Sequence, residues 1–256
     1  MPPASLSLSV IRDIPLVRTG DDLAAIILQA MSSCGHEFEN NDIIAIAQKI
    51  VSKAQGRIVN LAEVTPSKEA VRLAREINKD PRQIELVLTE SKSVIACKPG
   101  VIIVEHHTGV ILANAGIDHS NVSADSEGEY VSLLPEDSNR SAGDIKQAIE
   151  SRCGKKIGVL ITDSIGRPWR LGTTGIALGS AGILPLRDLR GNRDMFGHEL
   201  MVSETADADS LASAACLLMG EADNATPVVL IRGFECIDTQ LDSRQLLRPE
   251  KEDLFR

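Results

Sequence analysis

Aromatic side chains are scarce in this chain: Phe, Trp and Tyr make up 2% of 256 residues, with a single Trp169 and a single Tyr130. A core must therefore be assembled from Val, Ile, Leu and Ala, which a chain of this length can do without covalent staples. The five cysteines (Cys34, Cys97, Cys153, Cys216 and Cys236) are scattered, odd in number and form no Cys-x-x-Cys pair. That pattern argues against a disulfide framework or a structural zinc. Cys216 stands in an apolar helical stretch and reads as core packing, and nothing marks a catalytic thiol. No apolar run is long enough to cross a bilayer. Met1-Pro-Pro-Ala lacks the basic region and apolar stretch of a secretory leader. Positive charge is also short: the net charge is −9, which disfavours nucleic acid and anionic membranes and leaves an anion site only where basic residues cluster. A cytoplasmic protein without nucleic-acid or membrane partners is expected.

The common nucleotide and hydrolase signatures are missing too. There is no G-x-x-x-x-G-K-[ST], no G-x-G-x-x-G and no H-E-x-x-H. Thr162-Asp-Ser164-Ile-Gly166 is not a G-x-S-x-G elbow, because Thr stands where the first Gly belongs. A nucleotide site in this chain would lie outside the P-loop and Rossmann folds.

Hydrophobic residues make up 43% and charged residues 25%, as in ordinary globular domains, and the length suits one large domain or two small ones. Helix and strand signals alternate. Asp21-Asp22 precede an apolar-periodic helix over Leu23–Met31. Thr65-Pro66 reads as a cap and first turn of a helix reaching Ile77, and Asp80-Pro81 repeats that signal. Ser141 with Asp144 resembles a capping box for a helix ending near Arg152. Thr205 reads as the cap of a helix over Ala206–Met219, stopped by Gly220. Asp42–Ile46, Val101–Val104, Gly158–Thr162 and Val228–Ile231 read as strands, three of them buried. The expected class is mixed α/β (α+β). The stretches 114–136 and 163–204 resist the pattern and read as long irregular segments, which are commonly functional.

Four segments could carry chemistry. The strand ending at Asp163-Ser164 places a carboxylate and a hydroxyl at a sheet edge, as hard divalent cations require, although Asp163 alone could merely cap a turn. Ser164 to Gly175 then packs Gly, hydroxyls, Arg167, Trp169 and Arg170 together, and Arg187 and Arg190 follow. Between 163 and 194 Arg outnumbers Asp by two, the direction expected for an anion patch, although internal ion pairs would look the same. Gly175 to Gly182 is a small-residue run that reads as close backbone packing. Asp118 and Asn121 lie in a turn context suited to oxygen ligation or to an Asx turn. The neighbouring His106 and His107 would face opposite sides of an extended segment, which does not make a paired metal site. Glu221 falls in an acidic connection and could add a carboxylate or simply be solvated. Lys49 and Lys53 follow a buried strand, where lysines can reach phosphates or stand in solvent on a helix.

At these residues the chain resembles the coenzyme F420-0:L-glutamate ligase family, the gamma-glutamyl ligases of deazaflavin coenzyme biosynthesis. The matching stretches are Ile14–Val17 with Gly20–Leu23, Ala47–Lys53, Gly109–Val122, Ile161–Gly175, Pro185–Glu199 and Leu218–Gly233. The resemblance implies an unusual α/β fold specific to that family, neither P-loop nor Rossmann. It implies one ligase unit over 1–256, or two interleaved subdomains, in an intertwined homodimer. A nitroreductase-like domain follows in some relatives and is not expected here. The implied reaction has GTP phosphorylate the lactyl carboxylate of F420-0. The acyl phosphate is then attacked by the amine of L-glutamate, and a second gamma-linked glutamate is left open. Two divalent cations (Mg2+ or Mn2+) and a monovalent K+ are implied. Asp118 and Asp163 would hold one metal, Ser164 and Glu221 the second. Ile14, Pro15, Leu16, Val17, Gln48, Lys49, Lys53 and Asn121 would line the GTP site, with Met219, Gly220, Ala222, Asp223, Asn224, Ala225 and Thr226 as a further nucleotide loop. Arg167, Trp169, Arg170, Arg187 and Arg190 are candidates for the acidic substrates on charge grounds, not on the family motif. The competing expectations are a ligase or kinase acting on another acidic metabolite, or a GTP-binding regulator without turnover.

Overall fold

The protein was analysed as a computed structural model that describes residues 5–118, 128–237 and 239–254. Its elements are β1 (Ser7–Val10), α1 (Leu23–Ser33), β2 (Ile43–Ala47), α2 (Gln48–Ala54), β3 (Ile58–Asn60), α3 (Lys68–Ile77), α4 (Pro81–Thr89), β4 (Ser91–Lys98), β5 (Val101–His106), β6 (Ile111–Ala113), β7 (Tyr130–Ser132), α5 (Ser138–Cys153), β8 (Gly158–Arg167), β9 (Arg170–Ala181), β10 (Arg187–Asp188), β11 (Glu204–Thr205), α6 (Asp207–Met219) and β12 (Val228–Arg232). The architecture is mixed α/β, as the alternating signals predict.

The main sheet has the order β1-β12-β2-β8-β9. β2 and β8 run parallel, and the other neighbours run antiparallel. The paired stretches of the central strands, Ile43–Ala47, Gly158–Ile161 and Val228–Ile231, are apolar runs because both of their faces are covered. Ile44, Ile46, Val159, Ile161, Val228 and Leu230 pack towards α1 and α5. The alternate residues Ile43, Ala45, Leu160, Val229 and Ile231 pack against α6. A second core joins α3 and α4 to β5, which belongs to the three-stranded sheet β4-β5-β6. There the period of two is visible: Ile102, Val104 and His106 are buried and their neighbours partly exposed. His106 is thus the buried one of the histidine pair and His107 the exposed one.

Several element ends differ from the expectation. α3 is capped by Ser67, whose hydroxyl accepts from the Ala70 N–H at 3.2 Å, rather than by Thr65. α5 begins a turn early: Asp137 caps it, and Ser141 lies inside, donating to the Asp137 carbonyl at 2.8 Å. Asp and Ser cap about equally well, so residue preference does not separate the two starts; the Asp137 carboxylate takes the Arg140 N–H at 2.9 Å. α6 has no side-chain cap at Ala206; Thr205 instead donates to the Asp207 carboxylate at 2.9 Å. The largest difference concerns 163–204, which is not irregular throughout. β8 continues past Thr162 to Arg167 and returns as β9, with Ser164 opposite Gly175 and Arg167 opposite Arg170.

The small-residue run on β9 packs as its composition suggests. A Cβ on Gly179 would meet the Ser138 carbonyl oxygen at 2.2 Å, and one on Gly175 the Ala212 carbonyl at 2.6 Å. Both contacts are with helix backbone, which cannot yield as a side chain can. Gly143, in the interior of α5, has nothing within 4 Å. Gly179→Ala should therefore lower Tm by several degrees, in line with an overpacking cost of about 1–3 kcal/mol. Gly143→Ala should raise stability by about 0.5–1 kcal/mol. Thermal denaturation of the two variants checks both signs.

Candidate functional site

At the end of the parallel pair Ala47 stands opposite Thr162. Gln48-Lys49 and Asp163-Ser164 therefore leave that pairing side by side. The antiparallel neighbours bring two more segments to the same end, because Val228 lies opposite Ile46 and Val10 opposite Val229. The Ala47 N–H donates to the Pro227 carbonyl at 2.8 Å, and Ile11 N–H to the Val228 carbonyl at 3.0 Å. Residues 11–17, 48–53, 163–164 and 220–227 thus gather at one edge, at the carboxyl ends of parallel strands, where open α/β sheets bind ligands.

Asp118 joins this edge through Lys49, whose Nζ lies 2.6 Å from its Oδ2, with both side chains about one-third exposed (34% and 33%). Its backbone is pinned by a reciprocal pair with Ser132: Asp118 N–H donates at 3.1 Å and Ser132 N–H returns at 2.8 Å. The Ser164 hydroxyl donates to Glu221 Oε2 at 2.8 Å. Asp163 is the most perturbed carboxyl here. Burial pushes its pKa up to about 7; the Ser164 backbone N–H and Lys49 pull it down, and the nearby Asp118 and Glu221 charges push it further up. Lys53 is lowered by burial and by Lys49, one helical turn away. Two lysines at that spacing repel unless an anion joins them.

The remaining residues of this edge are built for shape. Gln48 is buried and accepts from the Ser52 hydroxyl at 2.9 Å. In the connection after α6, the Thr226 hydroxyl donates to the Met219 carbonyl at 2.8 Å. Gly220 takes a positive φ of 73°, and a Cβ there would strike Asn224 Oδ1 at 2.2 Å. Val17 is buried and Leu16 exposed. Asn121 lies outside the described residues.

The arginines divide. Arg167 and Arg170 face each other across the tip of the β8–β9 hairpin, beside the exposed Trp169. Nη1 of Arg167 is buried with no hydrogen-bond partner among the described residues. Arg187 is paired with Asp207 at 2.5 Å and stacks over Phe234, and Arg190 is paired with Asp188 at 2.6 Å and Glu204 at 3.3 Å. Their charge is largely compensated within the chain.

The donor set Asp118, Asp163, Ser164 and Glu221 is all oxygen, the chemistry that suits a hard divalent cation. Among the described residues no three carboxylate, imidazole or thiolate side chains close round one point. Lys49 lies against Asp118 and Ser164 against Glu221, so internal partners occupy those oxygens.

A family model described as F420-0:Gamma-glutamyl ligase matches residues 12–233. The chain belongs to this family. It is 42% identical over 253 residues to the coenzyme F420:L-glutamate ligase of Methanopyrus kandleri, covering 96% of this chain and 97% of the relative. It is 41% identical over 253 residues to the protein of the same name from Methanothermobacter thermautotrophicus, covering 98% and 99%. The corresponding protein of Methanocaldococcus jannaschii is 40% identical over 246 residues, covering 95% and 94%. Sequence reasoning passed over Asp209 and Asn139, which line a cavity next to Asp163. An acid in the first turn of α6 looks like an ordinary partner for the helix dipole.

The raised pKa of Asp163 has a stability consequence in metal-free protein. Its neutral form is the one the fold prefers, so its contribution is complete below pH ~4 and is lost as pH rises through about 7. Asp163→Asn removes that loss while keeping an acceptor for the Ser164 N–H. In chelator at pH 8 the variant should melt a few degrees above the parent protein, at roughly 2–4 °C per kcal/mol, and the gap should close as pH falls towards 4. A variant that melts lower at pH 8 would contradict this account.

Proposed function

We infer that this chain is a GTP-dependent ligase that forms an amide bond between L-glutamate and coenzyme F420-0. The observation that carries the reading is the gathering of Lys49, Lys53, Asp118, Asp163, Ser164 and Glu221 at one end of the main sheet, in a chain of this family. The γ-phosphoryl group of GTP passes to the terminal carboxylate of F420-0, giving an acyl phosphate and GDP. The uncharged amine of glutamate attacks the acyl carbon, phosphate leaves, and the amine proton passes to solvent. No protein nucleophile is required. One glutamate or two is compatible with this chemistry.

Lys49 and Lys53 reach towards the phosphates, where two ammonium groups in repulsion gain most from an anion. Ile14–Val17 and Gln48 flank the nucleotide, Asn121 is proposed beside them, and residues 219–226 close over it, largely through backbone. Asp118 and Asp163 would hold one divalent cation, Mg2+ or Mn2+, and Ser164 and Glu221 a second. Bound cations supply neutralisation of the triphosphate and alignment for in-line transfer. Mutual repulsion among Asp163, Asp118 and Glu221 supports this assignment, because a cation would relieve it. Arg167, Arg170 and Trp169 are proposed for the acidic substrates. One ligase unit with a family-specific fold is proposed, acting in the cytoplasm; among the described residues no helix is long and apolar enough to cross a membrane.

A homodimer is part of the proposal. Trp169 and Leu171 at the hairpin tip and Met195 and Phe196 beyond it are 87%, 100%, 90% and 77% exposed. So many large apolar side chains in solvent call for a partner surface. Leu171→Glu should convert a dimer to a monomer in sedimentation, and an unchanged mass for that variant would remove the hairpin from the interface.

The decisive assay combines protein, GTP, Mn2+, L-glutamate and F420-0, with products weighed by mass spectrometry. A glutamate-mass increment matched by GDP is expected. Lys49→Met should cut kcat/KM about a hundredfold or more while circular dichroism stays native. A phosphate increment without glutamate would make the chain a kinase. GTP binding without GDP release under every substrate combination would make it a regulator.

A further inference from the structure

A cavity of about 340 Å3 lies beside Asp163, and none of the residues assigned above lines it. Ile176, opposite Asp163 across the hairpin, and Ile165, two residues on, form part of its wall. It therefore begins at the next side chain on the same strand face, roughly 7 Å from the carboxylate cluster. Its size is at the small end of about 300–1,000 Å3, the range for small-molecule sites. That suits a small metabolite rather than a nucleotide or a deazaflavin.

Two polar side chains are anchored on its walls by the edge of β9. Asp209 Oδ1 accepts from the Ala177 N–H at 2.9 Å. Asn139 Oδ1 accepts from the Ser180 N–H at 2.9 Å, the Ser243 N–H at 3.2 Å and the Ser243 hydroxyl at 2.9 Å. A register shift between Ile161 and Thr162 leaves Leu178 without a partner across β8, and so turns both N–H groups outward. The three contacts fix the Asn139 amide, and its N–H donors have no hydrogen bond to a described residue. Asp209 Oδ2 has none either. The two anchors are three residues, about 10 Å, apart. An extended five-carbon amino diacid with a hydrogen bond at each end has about that length. Arg244 stands at the rim, its guanidinium paired bidentately with Asp242.

Of the three reactants in the ligase reaction, only the amino acid carries a positive group, and it carries carboxylates as well. The cavity offers a carboxylate at one anchor and amide donors at the other, with Glu136 and Asp137 also on its wall. We propose that this cavity receives the incoming L-glutamate, with its ammonium on Asp209 and a carboxylate on the Asn139 amide. The assignment rests on the ligase reading. Burial raises the Asp209 carboxyl, a cost that an ammonium partner would offset.

The test uses the full-length protein and two variants. Asp209→Asn keeps the acceptor for Ala177 and removes the charge. Val110→Phe narrows the cavity from its other wall. Initial rates are measured against each reactant in turn, and melting temperatures with and without glutamate or glutarate, which lacks the amine. Both variants should raise the glutamate KM about tenfold or more while leaving the GTP and F420-0 KM values within about twofold, the former corresponding to roughly 1.4 kcal/mol. Glutamate should raise the Tm of the parent protein more than glutarate does, and Asp209→Asn should erase that difference. An unchanged glutamate KM in both variants, or a rise in the F420-0 KM instead, overturns the assignment. If the parent protein makes no amide, the ligase reading falls separately: a glutamate-specific Tm rise lost in Asp209→Asn still upholds the pocket, and no such rise overturns it.

Discussion

The parallel pairing of β2 with β8 is the constraint from which the rest follows. Five residues of one strand lie in register with five of the other, and both chains leave the sheet in the same direction. An antiparallel pairing would have sent Lys49 and Asp163 to opposite ends. Parallel strands need both faces covered, and α1 and α5 on one side and α6 on the other provide that cover. The apolar continuity of Ile43–Ala47 and Gly158–Ile161 and the position of the charged cluster are two results of one arrangement.

The edge that results is electrostatically unsettled. Asp163 is half-buried beside two other carboxylates, and Lys49 and Lys53 share a helix face. The ion pair of Lys49 with Asp118 and the hydrogen bond of Ser164 with Glu221 relieve part of this strain. Groups placed against their own preference are what a site for charged ligands requires, since a ligand gains by relieving the conflict. The rest of the molecule shows the contrast. Arg72 is matched to Glu69 and Glu76, Arg232 to Asp42 and Glu39, and Arg152 to Asp22.

Much of this was legible in the sequence. Asp163 stands out because an apolar run ends on it, and Gln48-Lys49 because they follow another such run. The helix boundaries marked by Asp22, by Asp80-Pro81 and by Gly220 are where local rules place them. The extension of β8 to Arg167 was hidden. It pairs Ser164 with Gly175 and contains Gly166, glycines of little strand propensity, and Gly175 is packed directly against the backbone of α6. Asp209 and Asn139 were hidden for a related reason. Their roles come from capping a sheet edge contributed by distant residues, and no local pattern announces that. Arg187 and Arg190 looked like an anion patch; Arg190 pairs mainly with the adjacent Asp188, as alternating Arg and Asp allow, whereas the Asp207 partner of Arg187 lies well along the chain.

The main sheet also sets an order of events during synthesis. β1 is made first, yet its partner β12 is the last strand made among the described residues: Ser7 pairs with Arg232. β12 also separates β1 from β2, so neither can complete its hydrogen bonds until it arrives. The module of α3, α4 and β4–β6 draws on neighbouring residues and can form while the ribosome is still at work. Until β12 arrives β2 waits with one edge unpaired and β1 with no partner in the sheet. Any helper that shields nascent strands has its longest task in this chain during that interval.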